Sequence, residues 1–350
     1  MTRHGHQGQG REASGSAPAR GRGAAALLAK VADLYYLRDL TQQEIAGRLG
    51  LSRPTVSRLL RRSRDLGVVR IEIVAPPDSH HDLERALEEC FGLREAIVVT
   101  GDADDAAATR RALGRAGARY LERALHGGER LGVSWGTTLR AVVDHLRGRP
   151  LRLTIVPLVG GVGQVAPGIH ANDLAAGLAA AFAGQAHLLH APAIVASPGL
   201  RRALLADVGI RRVLALARQV DVALVGIGAL VPSSTLVRSG YFSAGDLAQL
   251  RRRGAVGDIC TRAYTGTGAS VDGALDRRIL AVSLDDLRRI GTVVAVAGGP
   301  EKAAAIAGAL RGGLIDVLVT DHLAAAALLE IERASWELRA AAVARAEAVR

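Results

Sequence analysis

The feature that most constrains the fold is a repeated order of apolar strand, glycine-rich turn and helix, which begins near residue 96. Val293–Ala297 is apolar at every position, which is typical of a strand in a sheet that is covered on both faces. Strands are predicted at residues 96–100, 130–134, 151–159, 222–227, 278–282, 292–297 and 316–320. Helices are predicted at residues 105–126, 137–147, 170–184, 243–253, 301–311 and 321–333. This alternation predicts an α/β domain with a mainly parallel sheet.

A different pattern precedes this domain. A helix is predicted at residues 24–40, with one apolar face that consists of Leu27, Leu28, Val31, Leu34 and Tyr35. Two short helices follow, and then Val68–Val74 alternates apolar and charged side chains as a half-buried strand does. The pair of prolines at positions 76 and 77 interrupts the pattern. The sequence therefore predicts a small first domain at residues 24–75, after a flexible tail at residues 1–23.

The two short helices, within residues 41–60, have the signals of a helix-turn-helix motif. Thr41 and Glu44 have the spacing of a capping box, and Gly50 provides a sharp turn, expected at positive φ. Ser52 is placed to cap the second helix, and Pro54 fits its first turn. The apolar positions of the two helices are expected to face each other, and they are Ile45, Ala46, Leu49, Val56, Leu59 and Leu60.

The remaining side chains of this motif are expected to point outward and to contact DNA. Side chains near the start of the second helix suit base edges, while hydroxyl groups and later arginines suit phosphates. The predicted DNA-binding residues are Thr41, Gln42, Ser52, Arg53, Thr55, Ser57, Arg58, Arg61 and Arg62. The alternative is a helical hairpin with a solvated arginine face, which would not require the matching caps and small residues. The strand at residues 68–74 would be the wing of a winged helix-turn-helix.

The net charge supports the same assignment. Of the total charge of +11, residues 1–23 contribute +3 and residues 24–75 contribute +4, so the other 275 residues share only +4. Basic charge concentrated at one end of a chain indicates where nucleic acid binds. Only two of the 45 basic residues are lysines, Lys30 and Lys302. Because arginine is so strongly preferred in this chain, a lysine suggests a role that arginine would not serve.

The segments from Leu34 to Ala46, from Leu51 to Leu60 and from Gly67 to Ile71 resemble those of the SorC family of bacterial sugar-responsive transcriptional regulators. The similarity extends to about residue 331. The resemblance implies a DNA-binding domain joined to a domain similar to sugar-phosphate isomerases. It also implies a homo-oligomer, a dimer or tetramer, that responds to a phosphorylated sugar or a related metabolite. An effector-binding and oligomerisation domain is accordingly expected at residues 76–333, with a C-terminal tail at residues 334–350.

Ligands of parallel α/β sheets bind beyond the carboxyl ends of the strands, and two turns at such positions suit a phosphate. Gly136, Thr137 and Thr138 follow a strand and start a helix, where free amides, hydroxyl groups and the helix dipole favour an anion. Threonines also cap helices that bind nothing, so this signal is weak alone. The resemblance implies that this turn contacts the effector's phosphate.

The second turn contains Gly298, Gly299, Pro300 and Lys302. A cation in the first turn of a helix opposes the dipole, and a bound phosphate would offset that cost. The alternative is a surface lysine paired with Glu301. The rarity of lysine and the family resemblance both favour the phosphate role.

Asp258, expected just after a short strand, is a candidate acceptor for sugar hydroxyl groups, although a turn aspartate can also cap its own backbone. The family pattern places the effector here. Weaker candidates are Gly160, Gly161 and Asn172, while surface or capping roles are at least as plausible for Asp272 and Asp276. The segment Tyr264–Gly268 is interpreted as a flexible loop over the pocket.

The sequence gives little support to enzymatic, metal-binding or membrane functions. His170, His187 and His190 do not have the spacing of a ligand set, and two cysteines do not make a disulfide framework. No apolar run reaches the roughly 18–20 residues of a membrane span, and the first 23 residues do not resemble a secretory signal. We therefore expect a cytoplasmic regulator without a cofactor.

Two alternative functions remain open at this point. Lys302 can in principle form a Schiff base, so the chain could be a sugar-phosphate isomerase or aldolase with a DNA-binding appendage. However, no His or Glu is convincingly placed as a general base beside it. An architectural DNA-binding protein with a vestigial sensor would show no response to any effector. The sequence does not identify the sugar, the operator or the sign of regulation.

Overall fold

The computed structural model describes residues 19–71, 79–161, 168–232, 234–238 and 242–348. The chain divides into two compact units, residues 1–75 and residues 76–350. The predicted wing strand at residues 68–74 lies partly outside these ranges. The described part of it, residues 68–71, is not a strand, and the amide of Val69 instead donates to the carbonyl of Ser63.

The described part of the first unit contains three helices, which are α1 (Ala19–Ala32), α2 (Gln42–Leu49) and α3 (Arg53–Asp65). A turn of π-helix, Asp33–Leu37, extends α1, so the segment predicted as a tail is helical from residue 19. The six side chains of the core come from all three helices, and they are Val31, Leu34, Ile45, Ala46, Val56 and Leu60. Leu27 was expected on the buried face, but it is 37% exposed.

The second unit has a seven-stranded parallel sheet in its described part. Its strands are β1 (Glu95–Val99), β2 (Arg130–Val133), β3 (Thr154–Pro157), β4 (Gln185–Ala186), β5 (Val222–Gly226), β9 (Thr292–Val296) and β10 (Val317–Asp321). Their order across the sheet is β1-β10-β9-β5-β2-β3-β4, and every neighbouring pair is parallel. The predicted α/β class with a mainly parallel sheet is therefore confirmed.

Helices cover both faces of the sheet. The helices of this unit are α4 (His81–Phe91), α5 (Ala106–Ala124), α6 (Thr137–Asp144), α7 (Ala171–Ala181), α8 (Pro198–Ala206), α9 (Val208–Ala217), α10 (Thr235–Arg238), α11 (Ala244–Arg252), α12 (Leu284–Leu287), α13 (Ala303–Arg311) and α14 (His322–Ala348). Side chains of α5, α6 and α7 fill the core on one face, and α13 and α14 contribute to the core on the other. Helix α14 continues to residue 348, through the segment that was predicted as a C-terminal tail.

A small antiparallel sheet lies at one end of this arrangement. It consists of β6 (Gly228–Ala229), β7 (Ala255–Ile259) and β8 (Arg262–Thr265). The interpretation of Tyr264–Gly268 as a flexible loop is wrong at its start, because Tyr264 is a fully buried residue of β8. Its hydroxyl donates to the carbonyl of Ala305, 2.9 Å away. Gly268 lies so close to the backbone of Gly312 that a Cβ atom would be 2.2 Å from it.

The strand predicted at residues 278–282 is wrong. A turn of 3-10 helix occupies Asp276–Arg278, and the segment after it is extended but pairs only at isolated positions. Ile279 bridges to Ile194, and Ala281 bridges to Val159. The apolar run arises because the segment is buried between layers, not because it belongs to the sheet.

Candidate functional sites

Helix α2 begins with the predicted capping box. The amide and the hydroxyl of Thr41 each donate to the Glu44 carboxylate at 2.8 Å, and the Glu44 amide donates to the Thr41 hydroxyl at 3.3 Å. These hydrogen bonds hold the pKa of the Glu44 carboxyl below its ordinary value. The start of α2 is therefore fixed by side chains from its own first turn.

The turn between α2 and α3 has the predicted geometry. Gly50 adopts φ +65°, and its amide donates to the carbonyl of Ala46. Ser52 caps α3 by accepting from the Thr55 amide at 3.3 Å, and its hydroxyl lies 2.8 Å from that of Thr55. The Arg58 guanidinium donates to the Thr55 hydroxyl at 3.3 Å. This chain of hydrogen bonds orders polar side chains at the start of α3.

The side chains predicted to bind DNA lie on the surface of the first unit. Seven of the residues are exposed: Thr41, Ser52, Arg53, Ser57, Arg58, Arg61 and Arg62. The other two, Gln42 and Thr55, are half-buried. No acidic residue interrupts α3 before Asp65. The face of α3 that points away from the core is consequently basic and rich in hydroxyl groups, the composition expected of a helix that contacts DNA.

The second unit contains a cavity of about 470 Å³ at the carboxyl end of the parallel sheet, which we call the sheet-end cavity. The turns after four neighbouring strands, β10, β9, β5 and β2, line it. It brings together seven of the ten predicted effector-binding residues, which are Gly136, Thr137, Thr138, Asp258, Gly298, Gly299 and Lys302. Distant parts of the sequence thus meet at the edge of the sheet where ligands of such folds bind.

The turn after β2 presents the start of α6 to the sheet-end cavity. Gly136 has φ +133°, a value that disfavours other residues, and no side chain among the described residues caps the helix. Thr137 and Thr138 are its first two residues, and the first helical hydrogen bond runs from the amide of Arg140 to the carbonyl of Gly136. The amides of Thr137, Thr138 and Leu139 therefore have no helical partners, as an anion site requires, whereas the amide of Gly136 donates to the carbonyl of Ile169.

Asp321, the last residue of β10, fixes the position of the turn after β9. The sequence analysis did not identify it as a site residue. A Cβ atom on Gly298 would lie 2.2 Å from the Asp321 carboxylate, and the amide of Gly299 donates to that carboxylate at 2.6 Å. The amides of Leu323 and Ala324 donate to its other oxygen. A carboxylate directly after a buried strand was the available signal, but residue 321 was assigned to the following helix.

Lys302 lies in a turn of 3-10 helix, Pro300–Lys302, and precedes α13. Burial lowers the pKa of its ammonium, while the charges of Glu301 and Asp258 act in the opposite direction. In the described part of the chain, the ammonium has no hydrogen bond and no ion pair. The alternative of a surface lysine paired with Glu301 therefore lacks the contact that it requires.

Asp258 lies within β7, not after a strand as predicted, and pairs with Gly228 of β6. A Cβ atom on Gly228 would be 2.0 Å from the Asp258 carboxylate, so the carboxylate occupies the space that this glycine leaves. Burial raises the pKa of Asp258 to about 7, although the Thr261 amide and the charge of Lys302 lower it. A carboxyl that is partly protonated near neutral pH can both donate and accept hydrogen bonds.

The other three predicted effector-binding residues do not line the sheet-end cavity. The side-chain amide of Asn172 donates to the Leu189 carbonyl and accepts from the Leu189 amide, so it links α7 to the backbone at residue 189. Gly160 packs against the carbonyl of Ala191, 2.5 Å from a Cβ position. The amide of Gly161 donates to the same carbonyl. Close packing of the backbone accounts for Gly160, whereas a Cβ atom on Gly161 would lie 3.8 Å from that carbonyl oxygen, an ordinary contact.

The weaker candidates have structural partners. The Asp276 carboxylate forms an ion pair of 2.7 Å with the buried Arg262, and the Asp272 carboxylate accepts from the Ser270 hydroxyl. The described residues contain no cluster of three or more His, Cys, Asp or Glu side chains that could hold a metal ion. Within the described ranges, no helix has the length and apolarity needed to cross a membrane.

Comparisons with known proteins match both units. Residues 76–330 match the family described as "Putative sugar-binding domain", and residues 21–76 match the Crp-like helix-turn-helix domain. The chain is 35% identical to the sorbitol operon regulator of Klebsiella pneumoniae over 312 residues, which cover 87% of this chain and 98% of that protein. It is 34% identical to the deoxyribonucleoside regulator of Bacillus subtilis over 301 residues, covering 86% and 96%.

Solved structures give the same result. The crystal structure of the full-length sorbitol operon regulator SorC from Klebsiella pneumoniae superimposes with a TM-score of 0.69, over 87% of this chain and 98% of that one, at 35% identity. A putative sugar-binding domain of a transcriptional repressor from Vibrio fischeri gives a TM-score of 0.66 at 33% identity, covering 72% of this chain and 99% of that one. Both units of this chain thus have counterparts in proteins named as regulators.

Proposed function

Since the chain belongs to the SorC family of bacterial transcriptional regulators and is a DNA-binding regulator of transcription, we propose that a phosphorylated sugar in the sheet-end cavity modulates its binding to the operator of a carbohydrate-metabolism operon. The similar proteins are regulators and this chain is not an enzyme. Lys302 is therefore assigned to binding and not to Schiff-base catalysis.

The observation that carries the proposal is that one cavity is lined by a helix start and by a cation for which the described residues provide neither a side-chain cap nor an ion pair. Thr137 and Thr138, the first two residues of α6, line the same cavity as Lys302. Because an anion gains from the helix dipole and from an unpaired ammonium together, a phosphate is the group that suits this end. Asp258, also on the cavity, suits the hydroxyl groups of a sugar.

In the first unit, we assign two roles to the outward residues of the helix-turn-helix. Arg53, at the start of α3, contacts base edges. The later arginines Arg58, Arg61 and Arg62 contact phosphates, as do the hydroxyl groups of Thr41, Ser52, Thr55 and Ser57, with Gln42 beside them. The exposure of seven of these nine residues and the absence of acids before Asp65 in α3 support contact with DNA.

We further propose that the regulator acts as a homo-oligomer, a dimer or tetramer, in the cytoplasm. Operators of helix-turn-helix proteins commonly contain two half-sites that mirror the two-fold symmetry of the protein. The operator DNA of a bacterial regulator is in the cytoplasm, which is where the proposed function places the chain.

The division of labour between the units is tested with Arg58→Ala and Lys302→Ala. Arg58→Ala is expected to weaken operator binding about 10-fold, because one phosphate contact is lost. It should leave the thermal stabilisation by a phosphorylated sugar unchanged. Lys302→Ala should abolish that stabilisation and leave operator affinity without sugar unchanged. Operator affinity is measured by fluorescence anisotropy, and stabilisation by thermal shift against phosphopentoses and phosphohexoses.

The control for charge is Arg212→Ala, which removes an exposed arginine of the second unit. This variant should behave as the wild type in both assays. If Arg58→Ala and Lys302→Ala each lose both properties, the assignment of one property to each unit is wrong. If no phosphorylated sugar stabilises the wild type, the proposed effector class is wrong.

A further inference from the structure

The sheet-end cavity contains a second cation that the sequence analysis did not identify, Arg110 of α5. Its positive charge lowers the pKa of Lys302, so the two cations lie close enough to repel each other. Within the described ranges, neither the Arg110 guanidinium nor the Lys302 ammonium has a hydrogen bond or an ion pair. Two like charges without partners on one cavity are an unfavourable arrangement that a bound anion would reverse.

The packing of α5 against α6 places Arg110 beside the start of α6. Gly114, one turn after Arg110, lies against Ala141, whose carbonyl oxygen would be 2.6 Å from a Cβ atom on that glycine. Both helices follow strands of one parallel sheet, so they run in the same direction. Residues one turn before this contact, Arg110 on α5 and Thr137 on α6, consequently lie next to each other.

The acidic side chains of the sheet-end cavity form no ion pair with these cations among the described residues, although the charges of Glu301, Asp258 and Asp321 raise the pKa of Lys302. The Asp321 carboxylate accepts from the amides of Gly299, Leu323 and Ala324. The Asp102 carboxylate accepts from the amides of Asp104 and Asp105. Neither forms an ion pair with Arg110 or Lys302 among the described residues, and Glu301 is exposed.

We infer that Arg110 is a specificity-determining residue that binds the same anionic group as Lys302 and the start of α6, and that it selects a doubly charged tetrahedral anion such as a phosphate monoester. This inference rests on the proposed function and deepens it. A guanidinium presents two parallel N–H groups to two oxygens of a phosphate, while an ammonium acts as a point charge. Arg110, Lys302 and the amides of Thr137 and Thr138 would then surround one phosphate from three sides.

The test uses inorganic phosphate as the probe, with the full chain and isothermal titration calorimetry. Arg110→Gln is expected to weaken phosphate binding about 10-fold to 100-fold, the effect of removing charge-assisted hydrogen bonds. Arg110→Lys keeps the charge but lacks the planar fork, so it should fall between Arg110→Gln and the wild type. Sulfate should compete with phosphate in the wild type, and acetate should compete poorly.

The matched control is Arg115→Gln, which removes an exposed arginine from the same helix but away from the sheet-end cavity. It should change phosphate affinity less than about 2-fold, the effect of a remote surface charge. Melting temperatures of the free proteins show whether each variant folds. If Arg110→Gln binds phosphate as Arg115→Gln does, or if the wild type does not bind phosphate, the inference is overturned.

The same variants separate this inference from the proposed function. If phosphate binding depends on Arg110 but no phosphorylated sugar alters operator binding, the site stands and the proposed function fails. If phosphorylated sugars act equally on the wild type and on Arg110→Gln, the proposed function stands and the role of Arg110 fails.

Discussion

At the scale of single residues, Asp258 is an ionisable side chain that the fold buries. The residue is only 6% exposed, and its carboxylate fills the space beside Gly228. Burial raises the pKa of this carboxyl to about 7 from the ordinary value of 3.8. Because the folded state binds the proton more tightly than the unfolded state does, this group stabilises the fold fully below about pH 4. That contribution is lost as the pH rises through about 7.

Asp258→Asn should therefore remove a pH-dependent destabilisation. The raised pKa corresponds to a cost of about 4 kcal/mol in unfolding free energy above pH 7, which is an order-of-magnitude figure. The variant should gain in melting temperature relative to the wild type as the pH rises from 5 to 8, because asparagine does not ionise. At each pH, the melting temperature of the wild type is subtracted from that of the variant, so that the titration of groups common to both proteins cancels. A difference that stays constant over this range would show that Asp258 does not titrate there.

Individual site residues could be predicted where the sequence gives a turn after a strand. Gly136, Thr137 and Thr138, and likewise Gly298, Gly299 and Lys302, follow predicted strands, and they do line one cavity. Arg110 could not be found in this way, because it lies in the second turn of a long helix that contains four other arginines. Only the close contact of α5 with α6 at Gly114 distinguishes it from them.

At the scale of elements, Asp321 connects two parts of the site. Its carboxylate holds the turn after β9 through the amide of Gly299, and it caps α14 through the amides of Leu323 and Ala324. The side chain is fully buried, and hydrogen bonds to a buried charge are stronger than those between neutral groups. The position of the Gly298–Lys302 turn thus depends on the adjacent strand.

Asp321→Asn should loosen this turn and weaken binding in the sheet-end cavity. Asparagine presents one acceptor oxygen and an NH₂ group, so at least one of the three amides loses its partner at a cost of about 2 kcal/mol. We expect a lower melting temperature and a smaller thermal shift with inorganic phosphate. The control is Asp285→Asn, which changes an exposed acid in the same way. Equal effects of the two substitutions would show that Asp321 does not position the turn.

Long elements with a clear apolar pattern were predicted well, and very short elements were not. Most strands of the parallel sheet are predominantly apolar, and six of the seven predicted strands are in the sheet. Strand β6 has two residues and strand β8 has four, which is too short for alternation to show. The run at residues 278–282 misled for the opposite reason, since a buried connection and a buried strand are both apolar.

At the scale of the whole molecule, the sequence predicts an output unit and a sensing unit but not how they are coupled. The helix-turn-helix is recognisable because its caps at Thr41 and Ser52 act locally, within four residues. The sheet-end cavity is assembled from residues between Asp102 and Leu323, so its completeness depends on tertiary structure. Coupling is a property of two states, and thermodynamics constrains it without reference to a particular rearrangement.

The coupling of the proposed effector to the operator must be reciprocal. If a phosphorylated sugar changes operator affinity by some factor, operator DNA must change the affinity for that sugar by the same factor. We expect a factor of about 5 to 150, the usual range for allosteric coupling. Operator affinity is measured by anisotropy with and without saturating sugar. Sugar affinity is measured by calorimetry with and without saturating operator.

Lys302→Ala provides the control for this reciprocity, because it removes a proposed contact to the sugar and leaves α3 intact. At sugar concentrations that saturate the wild type, the operator affinity of this variant should not change. Calorimetry should detect no binding of the sugar to the variant, with or without operator DNA. A sugar that instead weakens operator binding by competing with DNA phosphates at α3 would also obey reciprocity, because the two ligands would exclude each other. That competition would persist in Lys302→Ala and would disappear in Arg58→Ala, so the two variants together locate where the sugar acts.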